Sequence, residues 1–493
     1  MKRYVLWILP TLIIITFFSC KKDWLSPAAE NVLIQEDSTF LKGENAEKFV
    51  NACYSQLTDW TVSVFSWSGV SSISSDDADK GSDPGDLGAD KDQMDNLSYG
   101  PTTLSISEVW SGNYIGVGRC NQAIDNVPKF SINQNVKDRL VGEAKFLRAL
   151  YYFTLVRVYG GVPRIDKVFS ADSVAQVTAS YVRASKDDIY NLIISDLTDA
   201  INKLPLKTAY SNADIGRATK GAAQGLLAKV YMYQKNWAQS LAMANDVISS
   251  GIYSLEPNYA LIWRQSTENG RESLFEIQGQ DGNEGWGIGN YSAHQAARGT
   301  VTGGYGGWGF NTPTSDLDAA YESGDIRKSA TIYYRGQTLW DGAVIGNDVA
   351  NPRYNYKAYS SETREINYSS DWTGKNIRVL RYGEMLLIAA EAANELGQTV
   401  PAAANLNLVR ARAGLGTTTA ATQTDLRNAI WKERRVELAF EHDRFFDLVR
   451  QGRAGQVMRA HGKNFVDGKH EVFPIPLQQI LISQGKLEQN PGY

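Results

Sequence analysis

Two apolar-striped segments, 219–233 and 237–249, are separated only by Gln234-Lys235-Asn236. So short a break leaves one arrangement, an antiparallel helix pair. Ala222, Gly225, Ala228 and Lys229 leave room for close approach along the first arm. Similar helical spacing recurs at Glu44–Leu57, 107–127, 136–159 and from a Ser185 cap to Ile201. Gly112, Gly116 and Gly118 weaken the second of these, whose apolar face is Val109, Ile115, Val117, Ala123 and Ile124. The pattern returns at 378–396, 401–413 and 425–448, with Gly397 and Gly414 placed as C-terminal stops. Helix pairs of this length predict a mainly α fold, α+β only through minor strands such as Ser273–Ile277. The scaffold resembles stacked tetratricopeptide units, although no 34-residue repeat is present in the sequence.

Two intervals break the pattern. Residues 60–103 hold short apolar pieces and eight aspartates between Asp76 and Asp95. Residues 251–376 are rich in Gly, Asn, Tyr and Trp, with 11 glycines in the 31 residues 279–309. Glycine at that density costs backbone entropy and adds no apolar contact, so these stretches read as loops over a helical scaffold. A flat aromatic face can lie against the C–H face of a sugar while amides, carboxylates and guanidiniums bond its hydroxyls. Trp286, Tyr291, Tyr305 and Trp308, with Trp60, Trp67 and Tyr99, are therefore candidate ligand contacts. Asp281, Asn290, Arg298 and Asn311 are their candidate polar partners. The competing reading places some of these aromatics in small cores beneath the loops.

Composition narrows the function. Fifty Lys+Arg against 54 Asp+Glu give a net charge of -4, which does not recommend nucleic acid as a partner. Four histidines and three cysteines show no HExxH or C-x-x-C spacing, so no cofactor is expected. Whether a metal binds is left open. The segment from Asp77 to Asp83 misses the EF-hand register, which favours a solvated acidic loop over a calcium site. No catalytic constellation is apparent, although paired carboxylates that meet only in space would escape a linear reading. In the run 433–444, Arg434 with Glu437 and Glu441 with Arg444 stand three apart. On one continuous helix they would pair along a shared face and form a structural ion network.

The amino terminus reads as an address. Lys2 and Arg3 precede an almost wholly apolar stretch, 5–18, which is short of the ~20 residues a spanning helix needs. Ser19-Cys20 then resembles a lipobox, making Cys20 the lipidated first mature residue. Residues 1–19 are the expected signal peptide, 20–43 a tether and 44–493 a single globular domain. That domain divides into an N-terminal half (about 44–250), an irregular binding region (about 251–376) and a C-terminal helical part (about 377–493). Cys53 and Cys120 remain as either a disulfide or two buried thiols.

Motifs distributed along the whole chain resemble the SusD/RagB family. Arg148-Ala149-Leu150-Tyr151-Tyr152-Phe153 and Tyr159-Gly160-Gly161-Val162-Pro163 carry the first half. The second half carries Arg381-Tyr382-Gly383-Glu384-Met385-Leu386-Leu387, Val409-Arg410-Ala411-Arg412-Ala413-Gly414-Leu415, the run beginning at Glu433, and Arg444-Phe445-Phe446-Asp447-Leu448-Val449-Arg450. It closes with Phe473-Pro474-Ile475-Pro476 and Asn490-Pro491-Gly492-Tyr493. The resemblance implies an outer-membrane lipoprotein that faces the cell exterior, with a SusD-like fold. Such a protein binds an oligosaccharide or polysaccharide and delivers it to a SusC-like TonB-dependent transporter; it is not an enzyme. Peptide uptake, glycoside hydrolysis and a structural surface role are the alternatives. Replacing Cys20 with alanine is expected to abolish acyl labelling and release the protein from the membrane fraction. An unlabelled parent protein that stays membrane-bound after the replacement would remove the lipid anchor.

Overall fold

The computed structural model describes residues 44–493 apart from 85, 87, 88, 170–175, 177, 178, 280–286, 366, 370 and 371. Cys20, the leader, the tether, Asp281 and Trp286 lie outside the described residues. The helices expected in the first half are present as Glu44–Leu57, Leu104–Asn126, Gln134–Tyr159, Lys186–Lys203, Lys220–Tyr233 and Trp237–Ser249. Side-chain caps set their starts. Ser185 Oγ accepts the Asp188 N–H at 3.0 Å, and Thr219 Oγ1 accepts the Ala222 N–H at 3.1 Å. Gly160, at φ 74°, ends the Gln134–Tyr159 helix with a backbone turn that a side chain would resist.

The long Gln134–Tyr159 helix packs against both Leu104–Asn126 and Lys186–Lys203 and is buried over most of its length. Two different neighbours explain the glycines at 112 and 116. A Cβ on Gly116 would stand 2.4 Å from the Tyr151 ring, and one on Gly112 only 2.1 Å from Thr61 Oγ1. The buried face therefore runs Val109, Asn113, Gly116, Cys120 and Ala123, which leaves Ile115 exposed rather than inward as expected. Gly225 plays the same part in the Lys220–Tyr233 arm, where a Cβ would meet Leu274 at 2.7 Å. Cys53 and Cys120 are both buried and free.

The second helical set is Tyr382–Glu395, Thr399–Arg412 and Gln423–Glu437, joined to the first through contact of Tyr382–Glu395 with Trp237–Ser249. Two boundaries depart from the periodic reading. Ile377–Arg381 is a strand, paired antiparallel with Ser273–Ile277, so the helix begins four residues later than expected. The 425–448 segment is broken after Glu437. Phe440 and His442 take positive φ (62° and 69°), and a separate helix, Arg444–Arg450, follows. The other sheets are two-stranded as well, among them Ala78–Gly81 with Phe310–Pro313.

The break changes the ion network. Arg434, Glu437, Glu441 and Arg444 do not pair with one another along a helix; each reaches a distant partner. Arg434 bonds Asp447 at 3.1 Å and Arg444 grips Asp76 through two 2.8 Å bonds. Glu437 takes Arg381 at 2.5 Å, Arg327 at 2.9 Å and Arg412. Glu441 takes Arg381 at 2.7 Å and Lys357 at 2.8 Å. Burial works against the charge on Glu437, yet Arg412, Arg381 and Arg327 hold its carboxyl well below the usual range. Asp76 and Asp77 form a second interior cluster: both are buried, and Arg435 binds the pair. The start of the acidic stretch is thus an interior anchor, not a solvated loop. Removing one member leaves buried charge uncompensated, so Glu437→Ala is expected to lower unfolding free energy by about 3–5 kcal/mol. Denaturant titration of the purified variant measures this; a loss below about 1 kcal/mol would show that the cluster contributes little.

Candidate functional site

Trp308 is placed by backbone. Gly307, Trp308 and Gly309 donate to the carbonyls of Ala297, Ala293 and Ala296 at 2.8, 2.9 and 2.9 Å. The approach is so close that a Cβ on Gly307 would lie 2.1 Å from the Ala293 carbonyl oxygen. Glycine density here serves contact between backbones, and that contact sets the tryptophan at the edge. From the other end of the chain, Asp59 caps the short Trp60–Ser63 helix by accepting the Thr61 N–H. Asp59 also bridges Gly287, and the Ile288 N–H donates to the Thr58 carbonyl at 2.8 Å. The Ala78–Gly81 pairing with Phe310–Pro313, and the ion pair of Arg298 with Asp83 at 3.0 Å, complete the seam.

Across that seam Trp60, Phe65 and Trp308, all half-buried, form an aromatic platform. The Trp60 and Trp308 centroids are 6.0 Å apart with planes tilted by 48°, and Phe65 lies 5.2 Å from the first and 6.3 Å from the second. Phe65 is the member that the sequence reading missed; it stands in the weakly patterned 60–103 interval, and its only signal was proximity to Trp60 and Trp67.

The remaining candidates are distributed differently. Trp67 is interior, stacked on Phe446 at 5.8 Å, and Tyr99 is interior, stacked on Phe473 at 4.8 Å. Tyr291 is buried against His294 and His442, and burial pushes its phenol up to about 12. Tyr305 packs on Ala293 and Ala296 beneath Trp308. Asn290 and Asn311 are fully buried; Asn290 Oδ1 accepts the Gly287 N–H, and Asn311 donates to Gln295. These six are buried and do not present a face to solvent. Arg298 is half-exposed beside Ser82 and Asp83.

Beneath Phe65 lies a buried serine–histidine layer on the π-helical turn Gly69–Ile73 and its approach. Ser68 Oγ is 3.0 Å from His294 Nε2, and Ser71 Oγ is 2.9 Å from His442 Nδ1. The first pair superficially resembles a nucleophile and base. His294 Nδ1, however, faces the Asn290 backbone carbonyl rather than a carboxylate, and both side chains are sealed from solvent. Among the described residues no group of His, Cys, Asp or Glu is arranged to hold a metal ion.

Comparison with known proteins agrees with this architecture. Residues 271–493 match the SusD family model, and residues 69–232 match a model described as starch-binding associating with outer membrane. The chain belongs to the SusD/RagB family. A SusD-like protein P2 of Formosa agariphila is 28% identical over 440 residues, covering 83% of this chain and 86% of its own. A laminarin-binding SusD-like protein has 29% identity and a TM-score of 0.78, over 92% of this chain and all of that one. Surface glycan-binding protein A of Bacteroides thetaiotaomicron, solved with laminarihexaose, has 25% identity and a TM-score of 0.78 over 91% and 99%. The fold is SusD-like, and SusD-family glycan-binding proteins are non-catalytic.

The histidine layer makes stability depend on pH. Burial pushes His294 down to about 3 and His442 down to about 4, whereas an unfolded histidine titrates near ~6.5. The unfolded chain binds more protons in between, so the stability these two histidines contribute is fully present above about pH 6.5 and is lost as pH falls toward 4 and below. Calorimetric melting from pH 7 to 4 is expected to show this decline, with a shallower slope for His294→Gln. An unchanged slope in that variant would show that His294 does not carry the effect.

Proposed function

We propose that the protein captures a glycan at the cell surface on the Trp60–Phe65–Trp308 platform. It then delivers the glycan to a SusC-type TonB-dependent transporter in the outer membrane, to which the lipid on Cys20 keeps it adjacent. The observation that carries this reading is the meeting of two half-buried tryptophans from distant parts of the chain, 6.0 Å apart and tilted by 48°. Core aromatics would be sealed. These are held at a seam by ion pairs and backbone bonds and are only partly buried, as an aromatic surface that meets a sugar must be. Tilted planes suit a chain that turns between successive sugars better than a flat one. The similarity to laminarin-binding proteins makes laminarihexaose the first ligand to test.

Trp308→Ala and Trp60→Ala are each expected to weaken laminarihexaose binding about 10- to 30-fold, the ~2 kcal/mol of a binding hot spot. Their melting temperatures should stay close to the parent's, and the sugar should be recovered at its original length. Titration calorimetry, melting curves and product analysis together read all three. Should the parent bind no member of a glycan panel but retain peptides, the chain would serve peptide uptake. Shortened sugars accumulating with time, abolished by one carboxylate replacement, would make it a hydrolase.

A further inference from the structure

A second concavity lies away from the platform, between the 258–266 turn and the 337–365 stretch. It measures about 1260 Å³, above the ~300–1,000 Å³ of a typical small-molecule site, and so is sized for several linked sugar units. Trp340 stands in its wall with 43% of its surface exposed. Its backbone is rigid: the Trp340 N–H donates to Tyr356 Oη at 3.1 Å, and the Leu339 N–H donates to the Ala343 carbonyl at 2.8 Å. Leu339 and Tyr356 belong to a closed tyrosine core with Tyr333, Tyr354 and Tyr359. An open indole on so firm a base is not a loop side chain left over from packing.

Two guanidiniums sit against that indole, Arg264 at 5.1 Å and Arg364 at 5.9 Å from the ring centroid. Arg364 is exposed, and among the described residues no carboxylate pairs with it. Arg264 is buried, yet its nearest carboxylate, Glu365, is 3.8 Å away, beyond hydrogen-bond reach. Its other bonds are long ones, to the carbonyls of Tyr359 at 3.3 Å and Tyr356 at 3.5 Å. Glu365 itself is occupied by the backbone N–H groups of Gln265 and Ser361, both at 2.9 Å. The cleft therefore carries incompletely compensated positive charge in a protein of net charge -4. Guanidinium forks match carboxylate and sulfate oxygens in pairs. Asn258 and Gln337, also in the wall, supply amides for sugar hydroxyls.

We propose that this cleft is a second glycan subsite, selective for a sugar bearing a carboxylate or sulfate group. Trp340 would stack on the ring while Arg364 and Arg264 meet the anion. The proposal rests on the reading of the chain as a glycan-binding protein, but it does not use the platform.

The test is calorimetric titration of the full-length protein with three probes: tetragalacturonate, a sulfated carrageenan tetrasaccharide and neutral laminarihexaose. Parent, Trp340→Ala, Arg364→Gln and Trp308→Ala proteins are compared at 50 and 300 mM salt, with melting curves as the folding control. The expected result is binding of at least one acidic probe that weakens tenfold or more in Trp340→Ala and Arg364→Gln, weakens with salt, and persists in Trp308→Ala. Uronate and sulfate are separated by which of the two probes binds. No acidic probe bound by the folded parent, or acidic binding unchanged in both cleft variants, overturns the subsite. If laminarihexaose binding is lost in Trp308→Ala while the acidic probes never bind, the subsite fails and the platform stands. If acidic binding is lost only in the cleft variants and laminarihexaose binds nowhere, the platform fails and the subsite stands.

Discussion

The buried carboxylate Glu437 and the three arginines around it tie together parts of the chain that share no periodicity. Arg381 comes from the strand Ile377–Arg381, Arg412 from the end of Thr399–Arg412 and Arg327 from the irregular middle of the chain. Each charge has left water, a cost recovered only because the geometry is close and the partners are several. Arg381 extends the system to Glu272 and Glu441, and Lys357 joins through Glu441. The network thus selects one relative placement of the C-terminal helices and the loop region, since no other would neutralise so many interior charges.

The site inherits that placement. Arg435 and Arg444, on either side of the helix break, hold Asp76 and Asp77. Burial would raise Asp76, but Arg444 and Arg435 hold it down to about 2. With these aspartates anchored, Ala78–Gly81 is presented to Phe310–Pro313, and the strand pairing brings the glycine-rich turn beside the Trp60 helix. The order of dependence runs from interior charge to edge strand to tryptophan pair. It explains why a conspicuously charged run far from the aromatics in sequence governs where they stand.

Glycine has two separate uses in this chain. In the helices, Gly112, Gly116 and Gly225 are places where a neighbouring side chain occupies the volume of a Cβ. In the 303–309 turn, Gly303 and Gly309 take positive φ while Gly307 admits a carbonyl oxygen. Its 307–309 end is therefore closely packed, and the backbone bonds there hold the half-buried Trp308 in place. Ligand-binding surfaces gain affinity from such preorganisation because less freedom is lost on binding.

Much of the scaffold was legible in the sequence, because helical spacing, capping by Ser185 and Thr219, and stops at Gly160 and Gly397 are local signals read over a few residues. The order of the family motifs was legible too, and with it the SusD-like fold. Local signals also misled in consistent ways. The strand Ile377–Arg381 read as helix because its pairing partner, Ser273–Ile277, is far away in the chain. The charges of 433–444 read as one paired helical face because tertiary partners have no signature in spacing. Composition alone could mark the aromatics as a group, but could not separate Trp60 and Trp308 from Trp67, Tyr99 and Tyr291. Whether an aromatic is covered depends on which distant segment lies over it, and that was decided by interior charge pairing and strand register between segments that the linear sequence keeps apart.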